Sequence, residues 1–119
     1  MVVASLCLLW ASVVEAAEPG ITAPAGFVVE KIFQVPTETM GSWSALTRDD
    51  RGRLIASDEK NLGLFLITPP KIGDSNAKTV VEKLPVEMDG AHGMLWAFDS
   101  LYVHAQRKGL YRITDTDQD

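Results

Sequence analysis

Gly63-Leu64-Phe65-Leu66-Ile67-Thr68 and Gly109-Leu110-Tyr111-Arg112-Ile113-Thr114 are one phrase written twice, 46 residues apart. Each copy starts on a glycine, carries an aromatic residue third and ends Ile-Thr, a strand entered from a turn. Working outward from the first copy, Trp43-Ser44-Ala45-Leu46-Thr47 reads as a strand and Asp49-Asp50-Arg51-Gly52 as a tight turn, with Gly52 free to take positive φ. Arg53 to Ser57 reads as a second strand and Leu64 to Thr68 as a third. Pro69-Pro70 stops the ladder, and Thr79 to Leu84 supplies a fourth. Around the second copy, Met94 to Ala97, Leu101 to Ala105 and Leu110 to Thr114 repeat the first three strands, with no counterpart of the fourth. Leu54 matches Leu101 at an offset of 47, and Ala45 matches Met94 and Trp43 matches His92 at 49.

A strand-built unit recurring at about 40–50 residues is the spacing of a β-propeller blade, and such a unit cannot bury its apolar faces without neighbours. The expected fold is therefore all-β: an incomplete propeller of about one and a half four-stranded antiparallel blades. An N-terminal strand precedes it, Phe27 to Val35, ended by Pro36. Phe27, Val29, Phe33 and Val35 share one face of that strand at period two, and it is expected to complete the last blade of the ring. At 119 residues the chain is shorter than a minimal ring of about four blades, so it is expected to be the N-terminal part of a longer propeller.

Residues 1–16 read as an export signal with a helical apolar core. Val2 to Val14 is apolar apart from Ser5 and Ser12, and small residues at Val14 and Ala16 predict cleavage after Ala16, with Ala17 the neighbouring alternative. No Lys or Arg precedes the apolar core, which departs from the usual signal. The stretch is shorter than the roughly 20 residues of a membrane span, so the mature chain is expected to carry no transmembrane segment and to be periplasmic or on the cell surface. Residues 17–26, rich in Pro, Gly and Ala, read as an extended leader, and residues 27–119 as the partial propeller. Cys7, the single cysteine, leaves with the signal, so the mature chain has neither a disulfide nor a Cys-x-x-Cys-His haem attachment. The eleven Lys and Arg residues are scattered within a net charge of −5. Without a clustered basic face, nucleic acid is excluded as a partner. There is also no Ser-His-Asp order, Gly-rich phosphate loop or His-x-x-x-His spacing.

Three groups could carry chemistry. His92, flanked by Gly90-Ala91 and Gly93, could face a central channel and act as a base on an alcohol proton; the other reading is a histidine hydrogen-bonded to an adjacent loop. Asp115, Asp117 and Asp119 have the alternate-carboxylate spacing that can wrap a hard cation, or they form a solvated acidic hairpin. Trp43 could stack on a sugar or quinone ring, or pack in the core. Asp58-Glu59 reads as a solvated acidic turn, His104 as a partly exposed sheet-face residue, and Phe65 and Tyr111 as packing residues between the repeats.

Gly41-Ser42-Trp43-Ser44-Ala45-Leu46-Thr47, Asp50-Arg51-Gly52-Arg53-Leu54-Ile55-Ala56-Ser57-Asp58 and His92-Gly93-Met94-Leu95-Trp96-Ala97-Phe98-Asp99-Ser100-Leu101-Tyr102-Val103 resemble the opening blades of large exported propeller proteins of planctomycete and verrucomicrobial type, described as membrane-bound dehydrogenases or haem-binding proteins. The resemblance covers about residues 26–119. It implies a propeller similar to the glucose/sorbosone quinoprotein dehydrogenases: a quinone-dependent oxidation of a sugar or alcohol, with pyrroloquinoline quinone and calcium as cofactors of the full-length protein and electrons passing to a haem-bearing cytochrome module absent here. His92 stands where the family often has a histidine. The family phrase Asp-Thr-Asp-Gly-Asp has Gln118 in place of its glycine. The remaining blades are the implied structural partners, and the chain alone is expected to be inactive. The alternative is a non-catalytic propeller that binds carbohydrate or protein.

Overall fold

The computed structural model describes residues 20–74 and 76–117. The expected signal at 1–16 with Cys7, and Asp119 of the acidic run, lie outside the described residues. The chain divides into two units at Lys31/Ile32. Residues 20–31 contain no helix or strand. A turn at Ala25-Gly26 is closed by the Phe27 N–H, which donates to the Pro24 carbonyl at 3.1 Å.

The second unit is all-β apart from a single helical turn, α1 (Thr37–Met40), which follows the fixed φ of Pro36. Its strands are β1 (Trp43–Arg48), β2 (Leu54–Asp58), β3 (Leu64–Thr68), β4 (Val80–Lys83), β5 (Ala91–Ala97), β6 (Ser100–Ala105) and β7 (Gly109–Ile113). They form two antiparallel meanders, a four-stranded sheet in the order β1-β2-β3-β4 and a three-stranded sheet in the order β5-β6-β7. All seven are the strands expected from the two phrases. Gly52 takes φ 79° in the β1–β2 turn, as that turn requires.

The expected N-terminal strand is a correction. Phe27 to Val35 joins no ladder among the described residues. Within the second unit, Ile32 to Val35 crosses the face of the first sheet instead of lining its edge. The Phe33 ring stacks on Trp43 (centroids 5.7 Å apart, planes at 14°), and the Thr79 hydroxyl donates to the Ile32 carbonyl at 2.6 Å. The segment thus contributes a side chain to the sheet face and leaves its backbone unladdered.

The registers also correct the alignment of the first strands. Shifts between Trp43 and Ala45, and between Ala91 and Gly93, make Ser44 and His92 the extra residues of two β-bulges. The bulges superpose at an offset of 48, so His92 corresponds to Ser44, Met94 to Leu46, and Trp43 to Ala91. The offset falls to 47 for β2 and β6 and to 46 for β3 and β7, because each turn of the second sheet is one residue shorter. Arg48 and Leu54 enclose five residues where Trp96 and Leu101 enclose four; Ser57 and Leu64 enclose six where His104 and Leu110 enclose five.

With equivalent positions fixed, the two-residue alternation of a strand assigns every side chain to a face. Ile55, Leu64 and Leu66 share the face of the first sheet that meets the second. Met94, Trp96, Leu101, Val103 and Ile113 share the face of the second sheet that meets the first, and together these residues make the core. The two sets are not equivalents. Leu64 corresponds to Leu110, Ile55 to Tyr102 and Leu66 to Arg112, all on the far side of the second sheet. Conversely, Leu101, Val103 and Ile113 correspond to Leu54, Ala56 and Ile67, on the far side of the first. The sheets therefore stack head to tail, with like faces pointing the same way. The contrast in exposure is direct: Leu64 is 0% exposed and Leu110 is 72% exposed. The same argument corrects Phe65, which packs on Trp43 (centroids 5.7 Å apart) on the face turned away from the second sheet. One buried polar bond crosses the interface, from the Ser57 hydroxyl to the Ala91 carbonyl at 2.6 Å.

Equivalent substitutions in the twin phrases should consequently differ in cost. Leu64→Ala should destabilise the protein by about 2–5 kcal/mol, the cost of truncating a fully buried leucine. Leu110→Ala should change stability by no more than about 0.5 kcal/mol. Chemical denaturation of the two variants checks this directly.

Candidate functional site

Antiparallel order places the starts of β1 and β5 at one end of the sheets, together with the β2–β3 and β6–β7 turns. A backbone chain ties that end together: Gly90 N–H donates to the Lys60 carbonyl at 2.7 Å, and Gln106 N–H to the Gly90 carbonyl at 2.8 Å. Gly90 takes φ 65°, which suits glycine in this linker.

Asp58 anchors the same end. It lies 3% exposed, and its carboxylate accepts from Ser42 N–H at 2.9 Å on one oxygen and from Lys60 and Leu62 N–H at 3.0 and 3.1 Å on the other. The expected solvated turn is thus a buried clamp joining the entry to β1 with the β2–β3 turn. Burial by itself would raise the Asp58 pKa. The hydrogen bonds from the Leu62, Lys60, Ser42 and Asn61 backbone overcome it and hold the carboxyl below its ordinary value. Gly41, at φ 71°, is packed so tightly here that a Cβ would lie 1.9 Å from Asp58 Oδ1. The isolated sequence does not show this role, because the donors are backbone groups brought in by the fold.

His92 sits at this end, on the β5 bulge, and its side chain is exposed. Among the described residues it makes no side-chain hydrogen bond or ion pair, and the contact to the adjacent loop is made by the Gly90 backbone instead. Trp43 lies between Phe33 and Phe65, and its buried indole N–H has no hydrogen-bond partner among the described residues. His104 is exposed on the outer face of the second sheet, as expected.

The acidic run lies at the opposite end, after β7. Asp117 N–H donates to Asp115 Oδ1 at 3.3 Å, a local turn, and among the described residues no three His, Cys, Asp or Glu side chains are placed to hold a metal ion. Asp115 and Asp117 line a cavity of about 330 Å³ between the sheets, together with Leu66, Leu84, Trp96 and Ile113. Asp49 and Arg53 of the β1–β2 turn line it too. There Asp49, 2% exposed, accepts from Arg51 and Arg53 N–H at 3.0 and 2.8 Å and from Arg53 Nε at 2.7 Å. The structure therefore separates His92 from Asp115 and Asp117 by the length of the strands.

The Asp58 clamp sets a pH dependence. Because its folded-state pKa is depressed, its contribution is present above the unfolded value of about 3.9 and is lost as pH falls through the folded value. Asp58→Asn should cost about 2 kcal/mol near neutral pH, and the gap to the unmodified protein should close below about pH 4 when melts are compared across pH. No protein-family model matches this sequence, and no curated protein or solved structure matches it.

Proposed function

We propose that the two sheets are successive blades of a β-propeller, and that the chain builds part of a ligand-holding ring in an exported protein of the quinoprotein sugar/alcohol dehydrogenase type. The observation that carries the ring is the head-to-tail stacking of two meanders whose bulges, turns and phrases coincide. Closed rings need this heterologous contact, in which one face of each unit meets the other face of the next. The sheets touch chiefly through their first strands, β1 and β5, while the cavity opens between Leu66 of β3 and Ile113 of β7. That divergence suits blades converging on an axis. In such a ring the β5 bulge turns His92 toward the channel end, as bulges beside active sites re-aim a side chain.

The dehydrogenase part of the proposal rests on the resemblance and on the place of His92. The candidate groups of this chain do not converge on one cofactor position. Trp43 is engaged by Phe33 and Phe65, and Asp115 and Asp117 lie at the other end from His92. A quinone or calcium site in the ring would draw its other walls from neighbouring blades. A non-catalytic carbohydrate- or protein-binding propeller is the second reading, favoured by His92 lacking a side-chain partner to orient it as a base.

The two readings separate in one assay. The full-length protein, with its remaining blades and supplied with pyrroloquinoline quinone and calcium, should reduce an artificial dye with an aldose or a primary alcohol, and His92→Ala should lower that rate about 100-fold. Absence of dye-linked oxidation, or an undiminished rate in His92→Ala, would reject the catalytic role; glycan or protein binding that survives the substitution would then establish the second reading.

A further inference from the structure

The bulges of β1 and β5 are pinned by the same hydrogen bond. Glu59 N–H donates to the Ser42 carbonyl at 3.1 Å before the first, and Gln106 N–H donates to the Gly90 carbonyl at 2.8 Å before the second. Ser42 and Gly90 are 48 residues apart, and Glu59 and Gln106 are 47 apart, the offsets already found for these strands. The residues that bulge out, Ser44 and His92, are both exposed. Neither side chain has a hydrogen-bond or ion-pair partner among the described residues. We infer that Ser44 is a specificity residue of the His92 site. Its hydroxyl holds a second hydroxyl group of a polyhydroxylated ligand, an aldose, whose first hydroxyl lies at His92.

The two positions are brought together by the strands that carry them. The sheets meet chiefly through β1 and β5, and the approach is close beside the bulges. Ser57, the cross-strand partner of Ala45, donates its hydroxyl to the Ala91 carbonyl at 2.6 Å. Ala45 follows Ser44, and Ala91 precedes His92. Packed sheets lie about 10 Å apart, so the two bulges stand at about that separation or less. Head-to-tail stacking presents them in the same sense, and a bulge re-aims the side chain it carries.

The chemistry of the pair selects the ligand. A serine hydroxyl both donates and accepts, and a neutral imidazole accepts at one ring nitrogen. Two such groups set apart on neighbouring strands suit a molecule that carries hydroxyls around its whole frame. A monohydric alcohol reaches one of them and leaves the other to water. The site therefore separates sugars from simple alcohols at Ser44, because a group placed to hydrogen-bond a ligand hydroxyl favours the ligand that has it. The proton acceptor is His92 in both cases, so the two residues divide the work between reaction and choice of ligand.

This inference rests on the reading of His92 as a ligand-facing group of the ring, and it does not require that His92 act as a base. In the full-length protein with pyrroloquinoline quinone and calcium, Ser44→Ala should raise KM for an aldose about fivefold to tenfold, the loss of one neutral hydrogen bond. It should leave kcat within about twofold, as the loss of uniform binding does, and leave KM for a primary monohydric alcohol unchanged. Ser44→Thr, which keeps a hydroxyl, should bring KM back to within about twofold. Calorimetric titration with the same aldose in the absence of dye reads Kd without turnover, and Ser44→Ala should weaken it by the same factor as KM. An equal loss for aldose and alcohol, a Kd unchanged in Ser44→Ala, or no recovery in Ser44→Thr would overturn the inference. Absence of dye-linked oxidation together with aldose binding that Ser44→Ala weakens would reject the dehydrogenase chemistry and uphold Ser44 as the sugar contact.

Discussion

Everything in the second unit depends on one contact: Ile55, Leu64 and Leu66 of the first sheet laid against Leu101, Val103, Trp96 and Ile113 of the second. Neither meander can hide an apolar face alone. A sheet with an apolar face must bury that face against another layer, and the free energy of removing these side chains from solvent is what orders both sheets together. The Ser57–Ala91 bond adds direction rather than bulk to that contact. A hydroxyl at a sterically dry interface must find its acceptor, so it fixes how far the sheets can slide.

The asymmetry of this contact has consequences at both ends of the stack. On the outer side of the first sheet, Phe33 is drawn over Trp43 and Phe65, and Ala56, Phe65 and Ile67 are buried. On the outer side of the second sheet, Leu95 and Leu110 remain exposed. Among the described residues, that face of the second sheet is left without a covering layer.

The strands were legible in the sequence because the twin phrases supply both their boundaries and their phase. Leu64, Phe65, Leu66 and Ile67 can alternate between two buried faces only in a sheet that is covered on both sides. The start of β5 was not legible. Gly90, Ala91 and Gly93 carry little strand propensity, and the ladder reaches Ala91 only because the His92 bulge keeps the pairing in step. Nor was the offset of 48, since a bulge leaves no mark in composition. Phe27 to Val35 has the alternation of a strand, yet alternation records which side chains seek cover and not whether a neighbouring backbone exists to pair with. Of the candidate site, the glycine-flanked setting of His92 beside a first strand was legible. Its separation from Asp115 and Asp117 was not, because that follows from β7 running back along the sheet. Asp58 was misread for the same reason: its donors, Ser42 and Leu62 among them, come from two different turns.

The central claim is that the sheets are related by one rotation with like faces leading. An experimentally determined structure of this chain, with β1–β3 superposed on β5–β7, measures that rotation directly. Blades of a four- to eight-membered ring differ by about 45–90° around a common axis, and the account predicts a value in that range with Leu64 carried onto Leu110. A rotation near 180°, which would bring Leu64 and Leu110 into the same interface, would contradict it.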